Sequence, residues 1–284
     1  MEFDQIKKNN VPFVVHCGFN NERETDLVKR FASDYGCEYW WEGIKNEIFK
    51  SADKIKYANF AVIWNGYQHT SMSVSKICEL RGIPRCYIEW GMLPQSDNFF
   101  IDPLGFCGQS ILCKDLSWVD KKDMEALYLK RESMQKQYPI DDGGYVLVPL
   151  QIENDTQVLH NSLYNNMEEF VSHVEFMYPN STIIVKPHPK SPAKRNFNRA
   201  HSTDEKDFLK LASSASVVVS ISSTTLYESA ILGVPTVALG DHPIRLNKTD
   251  KLDKVLAGAL ALNIDRSTGS LKSVLDRFHI KPLI

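Results

Sequence analysis

Short apolar runs alternate with amphipathic segments along the first ninety residues of the chain. Runs such as "VPFVVHCGF" are bounded by turn residues, which is typical of buried strands, while apolar residues at helical spacing predict helices. The predicted strands cover 11–19, 37–41, 59–66 and 83–91. The predicted helices cover 23–36, 47–55 and 71–82. This β-α-β-α-β-α-β order predicts a parallel sheet with helices on both faces.

A second alternation of the same kind follows a turn at 139–144. Its predicted strands cover 144–151, 182–189, 216–222 and 234–240. Its predicted helices cover 161–177, 204–215, 223–233 and the remainder of the chain. We therefore predict an α/β fold of two Rossmann-like domains, residues 1–140 and 141–284, facing each other across a cleft.

The segment 92–117 interrupts the alternation. It is rich in Pro, Gly, Asp and Ser, but it is too long and too apolar for a plain linker. We predict a functional loop here, followed by a charged helix over 119–139.

Composition changes this picture only by exclusion. The net charge of −2 argues against a protein that binds nucleic acid with its whole surface. Six cysteines without metal spacing predict reduced core thiols and a cytoplasmic location. The polar N-terminus does not resemble a signal peptide, and no apolar run approaches the ~18 residues of a membrane span.

Polar residues concentrate where the predicted strands end. Because ligands of open α/β sheets bind beyond the carboxyl ends of the strands, these residues are candidates for a binding site. In the first domain we expect an acceptor or cleft role for His16, Gly18, Asn65 and Gly66. In the second domain Gln151 occupies the corresponding position.

The segment "SISSTTLYES" follows an apolar strand and opens a helix. Ser222, Ser223 and Thr224 supply hydroxyls, and the free N–H groups of a first helical turn bind anions. An ordinary Ser/Thr helix cap is the alternative interpretation. We favour a phosphate or diphosphate site, with Glu228 placed to accept a bond from a ribose hydroxyl.

"KPHP" ends another apolar strand of the second domain. Two prolines fix the direction of His188, and we expect Lys186, His188 and Pro189 to contact a phosphate or sugar. Five Lys or Arg and two His lie between Lys186 and His201, with no acid. The run predicts either a solvated basic loop or, through residues such as Arg195, a surface that follows the phosphates of a nucleic-acid acceptor.

Two carboxylates of the first domain are candidates for catalysis. Asp102 lies in "FFIDPLG", where apolar neighbours make a charge costly unless it is used or capped. Glu89 ends a strand of the same domain. Two carboxylates facing a cleft suit acid/base or nucleophile roles at an anomeric carbon, whereas Asp102 as the first residue of an Asp-Pro turn is the structural alternative. Scattered histidines and the absence of an Asp-x-Asp at a strand end predict no metal and no cofactor.

Three motifs in order carry a family resemblance. "VPLQIENDTQV" (148–158), "IIVKPHP" (183–189) and "VVVSISSTTLYESAILGVPTVALG" (217–240) resemble the capsule-synthesis glycosyltransferases, which include bacterial β-Kdo transferases. "IEWGMLPQS" and "FIDPLGFCGQS" resemble the family's looser N-terminal motifs. The resemblance implies a GT-B fold whose C-terminal half binds a UDP- or CMP-sugar through His188, Ser222, Ser223, Thr224 and Glu228. It implies Asp102 as the leading catalytic carboxylate and Glu89 as its partner.

The residues leave alternatives open. The C-terminal sequence "LKSVLDRFHIKPLI" is short for a membrane-docking helix, which makes a soluble acceptor conceivable. Two kinds of acceptor fit this interpretation. One is a glycan, and the other is a hydroxymethylated base in phage DNA, because GT-B enzymes also glycosylate such bases. A nucleotide-sugar 2-epimerase is a second enzyme class that fits this architecture. The sequence leaves the donor sugar, its base, the stereochemistry of transfer and the oligomeric state open.

Overall fold

The computed structural model describes residues 5–6, 9–18, 21–43, 54–141, 143–191 and 197–284. Most of the helix predicted over 47–55 lies outside these residues, as does Arg195. The described chain forms two compact units: Met1–Ile111 with Ala261–Ile284, and Leu112–Leu260. Each unit is an α/β structure with its own sheet and core.

The first unit contains a six-stranded sheet in the order β11-β5-β4-β3-β1-β2. Its strands are β1 (Phe13–Gly18), β2 (Glu38–Gly43), β3 (Phe60–Trp64), β4 (Arg85–Trp90), β5 (Asn98–Asp102) and β11 (Asn263–Asp265). Strands β1 to β4 are parallel, and they follow one another in the predicted order. The helices of this unit are α1 (Glu22–Asp34), α2 (His69–Arg81) and α10 (Leu271–Asp276).

Continuous apolar sequence makes these strands central. All six residues of β1 and all five of β3 are buried, as expected for parallel strands covered on both faces. Helix α1 begins at Asn21, whose side chain accepts a bond from the Glu24 N–H, and α2 ends at Gly82 with φ 65°. Cys17, Cys78 and Cys86 are free thiols in this core, as predicted.

The second unit contains a five-stranded parallel sheet in the order β10-β9-β6-β7-β8. Its strands are β6 (Tyr145–Pro149), β7 (Thr182–Lys186), β8 (His201–Ser202), β9 (Ala215–Ser220) and β10 (Thr236–Ala238). Its helices are α3 (Lys121–Gln137), α4 (Thr156–Asn161), α5 (Met167–Met177), α6 (Phe208–Ser213), α7 (Thr225–Leu232), α8 (Pro243–Leu246) and α9 (Leu252–Ala261). The helix predicted over 161–177 corresponds to α5, which begins only at Met167. Helix α4 and strand β8 lie in segments where neither a helix nor a strand was predicted.

The units do not follow the predicted boundary at residue 140. Helix α3 belongs to the second unit, where the Arg131 guanidinium bonds to Asp253 at 2.8 Å and to the Ile231 carbonyl at 3.1 Å. The residues after 261 return to the first unit, where β11 pairs antiparallel with β5. The predicted loop 92–117 also contains β5 itself, which runs antiparallel to β4. The first sheet is therefore mixed, and its last strand comes from the end of the sequence.

One side chain fastens the returning segment. Asn263 accepts a hydrogen bond from the Met92 N–H at 2.9 Å and donates one to the Met92 carbonyl at 3.0 Å. The two bonds bridge residues 171 positions apart in sequence. This amide joins β11 to the chain that leaves β4.

We expect Asn263→Ala to lower the free energy of unfolding by about 1–3 kcal/mol, because two hydrogen bonds to the Met92 peptide are lost in a part-buried position. Urea unfolding followed by circular dichroism measures the change. Asn154→Ala, at an exposed turn residue, is the matched control and leaves the midpoint unchanged. Equal midpoints for all three proteins would contradict the structural role of Asn263.

Candidate functional site

The order of strands in the second sheet reverses at β6, which is the first strand of this unit in sequence. The chain moves to β7 and β8 on one side of β6 and to β9 and β10 on the other. A crevice opens where such a strand order reverses, at the carboxyl ends of the two diverging strands. Residues that follow β6 and β9 are therefore placed to bind a ligand.

Gln151 and Ser222 meet at this position. The Ser222 N–H donates to Gln151 Oε1 at 2.9 Å, and Gln151 Nε2 donates to Ser222 Oγ at 3.3 Å. Below them, the buried Ser220 hydroxyl donates to the Pro149 carbonyl at 3.1 Å. These bonds join the loops after β6 and β9 and fix the start of the turn that precedes α7.

Ser223 and Thr224 form the N-terminal turn of α7. The Ser223 hydroxyl accepts bonds from the Thr225 N–H at 3.2 Å and the Thr225 hydroxyl at 2.9 Å. The backbone N–H groups of Ser223 and Thr224 have no partner within the described chain. They add to the positive end of the helix dipole, which favours an anion. Glu228 lies half-buried within the same helix.

His188 follows β7 and is fixed in one tautomer. Its Nδ1 accepts a hydrogen bond from the Lys190 N–H at 3.1 Å, so the neutral ring carries its proton on Nε2. Burial lowers the pKa of His188, Lys190 lowers it further, and the Asp155 carboxylate opposes the shift. His188 is therefore a neutral N–H donor at pH 7. Asp155 is close enough to interact electrostatically with it.

The other predicted contacts after β7 are less direct. Lys186 Nζ donates to the Glu205 carbonyl at 3.1 Å, and burial lowers the pKa of this amine. Pro189 is exposed. The Arg199 guanidinium donates to carbonyls at the end of α5, including that of Pro179 at 2.7 Å. Arg199 is thus used inside the unit, and this part of the basic run gives no support to a nucleic-acid surface.

In the first unit, Glu89 and Asn65 meet at the carboxyl ends of β4 and β3. Asn65 Nδ2 donates to Glu89 Oε2 at 2.5 Å, and the Trp90 N–H donates to Glu89 Oε1 at 2.9 Å. Glu89 is 9% exposed. Gly66 follows with φ 86°, and a side chain there would press against the Tyr87 ring. Glu89 thus lies at the carboxyl edge of the sheet, where ligands of open α/β sheets bind.

His16 and Gly18 end β1 in a buried network. His16 Nε2 bonds to Glu24 Oε1 at 2.6 Å, and His16 Nδ1 bonds to the Tyr39 hydroxyl at 3.1 Å. His16 and Glu24 are fully buried. A side chain at Gly18 would collide with both, so glycine is needed for this close approach. The network connects β1, α1 and β2 through hydrogen bonds among its own side chains.

Asp102 is the end of β5 and is 0% exposed. Its carboxylate accepts bonds from the N–H groups of Leu104, Gly105 and Ile111 and from the Ser110 hydroxyl at 2.6 Å. Burial raises the pKa of Asp102 to about 6, against the opposing effect of these donors. The geometry is that of a turn anchor, which organises the chain from 103 to 111. A catalytic role for Asp102 stays a prediction.

Asp155 was not among the predicted site residues, although it lies within the "VPLQIENDTQV" stretch that carries the family resemblance. It is exposed, caps α4 through the Gln157 N–H at 2.9 Å, and lies within electrostatic range of His188. The available signal was its spacing: it lies four residues after Gln151, just beyond the end of β6. Asp102 was predicted as the catalytic carboxylate instead, because its sequence neighbours are apolar.

Neither a metal-binding group nor a membrane-spanning helix is found among the described residues. Among them, no three or more His, Cys, Asp and Glu side chains are grouped so that they could hold a metal ion. Within the same residues, no helix combines the length and the apolar character needed to cross a membrane.

The fold follows from comparison with known proteins. The chain has the α/β fold of GT-B glycosyltransferases: it aligns with the β-Kdo 2,7 transferase of Thermosulfurimonas dismutans KpsC at a TM-score of 0.66 and 19% identity, over 94% of this chain and 99% of that one. The β-Kdo 2,4 transferase of the same protein gives a TM-score of 0.66 at 16% identity, over 93% and 97%. Residues 120–237 match the family of capsule polysaccharide biosynthesis proteins. The predicted resemblance and fold class are confirmed.

A curated relative aligns with somewhat less than two thirds of the chain. FixF of Sinorhizobium fredii (strain NBRC 101917 / NGR234) is 27% identical over 201 residues, which are 63% of this chain and 48% of FixF. The chain thus spans about half the length of this curated relative.

Ser110→Ala tests the anchoring role of Asp102. Because its pKa is raised from 3.8 to about 6, the contribution of Asp102 to stability is complete below pH ~4 and is lost as the pH rises through about 6. Loss of the Ser110 hydroxyl should raise this pKa further. We expect the variant to lose about 1.5–3 kcal/mol of unfolding free energy at pH 7 and less at pH 4.

Urea unfolding of both proteins at the two pH values measures the difference. Ser117→Ala, which removes a hydroxyl bonded to the exposed Asp115, is the control with little effect at either pH. A Ser110→Ala penalty that is equal at pH 4 and pH 7 would contradict an ionised, hydrogen-bonded Asp102.

Proposed function

We propose that this protein is a glycosyltransferase that moves a sugar from a nucleotide-sugar donor, a UDP- or CMP-sugar, to a hydroxyl acceptor without a metal ion. The observation that carries the proposal is the hydrogen-bonded pair Gln151–Ser222 at the reversal of strand order. It fixes the N-terminal turn of α7, whose Ser223 and Thr224 N–H groups lack partners in the described chain. The GT-B fold and the family match of residues 120–237 support the same assignment.

The second unit would hold the phosphate of the donor through neutral donors. Ser223 and Thr224 offer backbone N–H groups, and His188 offers its Nε2–H. Fixed N–H donors stabilise charge that develops on a leaving phosphate, which is the task that a metal ion performs in other transferases. Glu228, on the same helix, would accept a bond from a ribose hydroxyl.

We assign the catalytic carboxylates to Glu89 and Asp155. A carboxylate must reach either the acceptor hydroxyl or the anomeric carbon; Glu89 lies at the carboxyl end of β4, and Asp155 lies in the segment between β6 and α4. Asp155 is exposed and interacts electrostatically with His188 in the second unit. Asp102, in contrast, is fully buried, and its two carboxylate oxygens accept hydrogen bonds from donors within its own turn. A carboxylate that attacks the sugar leads to retention of configuration, and one that only removes the acceptor proton leads to inversion.

We further propose that the acceptor is a hydroxyl of a glycan. The family match is to capsule polysaccharide biosynthesis proteins, and two similar structures are those of β-Kdo transferases. Incubation with nucleotide sugars alone separates this activity from that of a 2-epimerase, since an epimerase converts the sugar without an acceptor.

We expect at least one of UDP, CMP and GDP to bind, with a dissociation constant that EDTA does not change. Calorimetric titration of the whole chain with each nucleotide, with and without EDTA, measures this. If no nucleotide binds, or if EDTA abolishes binding, the proposed donor site is wrong.

His188→Ala should weaken nucleotide binding tenfold or more, because a hydrogen bond to a charged phosphate is worth ~1.5–3 kcal/mol. His201→Ala, at an exposed histidine of β8, is the matched control and should bind as the wild type does. The melting temperature of both variants should stay unchanged. An unaltered affinity in His188→Ala would remove this residue from the donor site.

Asp155→Asn and Glu89→Gln should each reduce sugar transfer by at least ~10²-fold, the usual worth of general acid–base catalysis, while nucleotide affinity changes little. Asp102→Asn should act on thermal stability more than on transfer. Transfer rates from a radiolabelled donor, measured beside melting curves, compare the three variants. The assignment is reversed if Asp102→Asn abolishes transfer at an unchanged melting temperature while Asp155→Asn keeps more than about a tenth of it.

A further inference from the structure

Asn65 has an unusual backbone conformation at the end of β3. Its φ is 62°, in the left-handed region, and Gly66 follows with φ 86°. Residues other than glycine seldom adopt this conformation, although asparagine tolerates it better than most. The two residues turn the chain sharply at the carboxyl edge of the first sheet, beside Glu89 of the neighbouring strand β4.

The side-chain amide of Asn65 has a defined orientation. Its Oδ1 accepts a bond from the Tyr67 N–H at 3.0 Å, so its nitrogen faces the other way, toward Glu89 Oε2 at 2.5 Å. Tyr67 is held in turn by its hydroxyl, which donates to the Phe106 carbonyl at 2.7 Å. The turn therefore presents an amide donor rather than an amide acceptor to the carboxylate.

Both oxygens of Glu89 accept hydrogen bonds, since the Trp90 N–H bonds to Oε1 at 2.9 Å. Donors on both oxygens fix the plane of the carboxylate group. Glu89 is 9% exposed, whereas Asp102 is 0% exposed. A carboxylate that is fixed in direction at the carboxyl end of a strand is suited to accept a proton from a substrate.

We propose that Asn65 is a positioning residue for glycosyl transfer, which holds the Glu89 carboxylate directed at the acceptor hydroxyl. In this step Glu89 takes the hydroxyl proton while the acceptor oxygen bonds to the anomeric carbon. The bond from that carbon to its leaving oxygen breaks, and the electron pair stays on the nucleotide phosphate (or on Asp155, if Asp155 has first displaced that phosphate). This inference rests on the proposed function and deepens it.

Asn65→Gly removes the amide and keeps the backbone, because glycine adopts φ 62° without strain. We expect kcat to fall by roughly 10- to 100-fold, with the KM for the donor changed less than about threefold. Asn10→Gly is the matched control: Asn10 is an exposed asparagine with φ 50° that precedes β1, and its variant should keep wild-type kinetics. Asn65→Asp, which preserves the acceptor for Tyr67 but removes the donor, should lose at least as much kcat.

A double-mutant cycle separates positioning from a structural role. In the Glu89→Gln background, Asn65→Gly should cause little further loss of kcat, because the group that it positions is already gone. The inference is overturned, and the proposed function left intact, if the two substitutions reduce kcat additively. The same holds if Asn65→Gly leaves kcat unchanged while Glu89→Gln abolishes activity. An active Glu89→Gln would also overturn it. A wild-type protein that transfers no sugar from any nucleotide donor would overturn the proposed function and, with it, this inference.

Discussion

Parallel strands joined by helices end at the same edge of their sheet, and the candidate site depends on this constraint. Gln151 and Ser222 are 71 residues apart in sequence, yet they share two hydrogen bonds because β6 and β9 are neighbours that end together. The same rule brings Asn65 to Glu89 at the ends of β3 and β4. Polar side chains that are scattered in sequence thus become pairs.

The hydrogen-bond partners of each buried carboxylate determine its role in the structure. Asp102 accepts bonds from the turn that it closes, and Glu24 is used by His16 and Asn21. Glu175, buried on α5, accepts bonds from the N–H groups of Arg199 and Ala200 and so holds these two residues against its helix. Glu89 differs, because it lies at the carboxyl end of β4 and bonds to Asn65 at the end of the neighbouring strand. Burial alone therefore does not identify a catalytic carboxylate.

Much of the fold was predictable because apolar runs and glycine stops determine central strands and their helices, as for β1, β3 and α2. Short edge strands were not predictable. The two-residue β8 and three-residue β11 carry too little pattern, and their pairing partners are distant in sequence. The positions of Gln151, Ser222 and His188 after their strands were predictable from the apolar runs that precede them. The hydrogen bonds of Asp102 were not, because the donors that surround it come from a turn whose geometry the sequence does not show.

The return of β11 to the first sheet has a consequence for the order of folding during synthesis. The second unit is one continuous stretch of sequence and can close as soon as residue 260 is available. The first unit must wait: until Asn263–Asp265 is made, the edge of β5 has no partner there. At ~5–20 residues per second, the interval from Asp102 to Asn263 lasts roughly ten to thirty seconds on the ribosome. During that time an apolar edge strand, "NFFID", stands open to other chains, so this edge is where a chaperone would be needed.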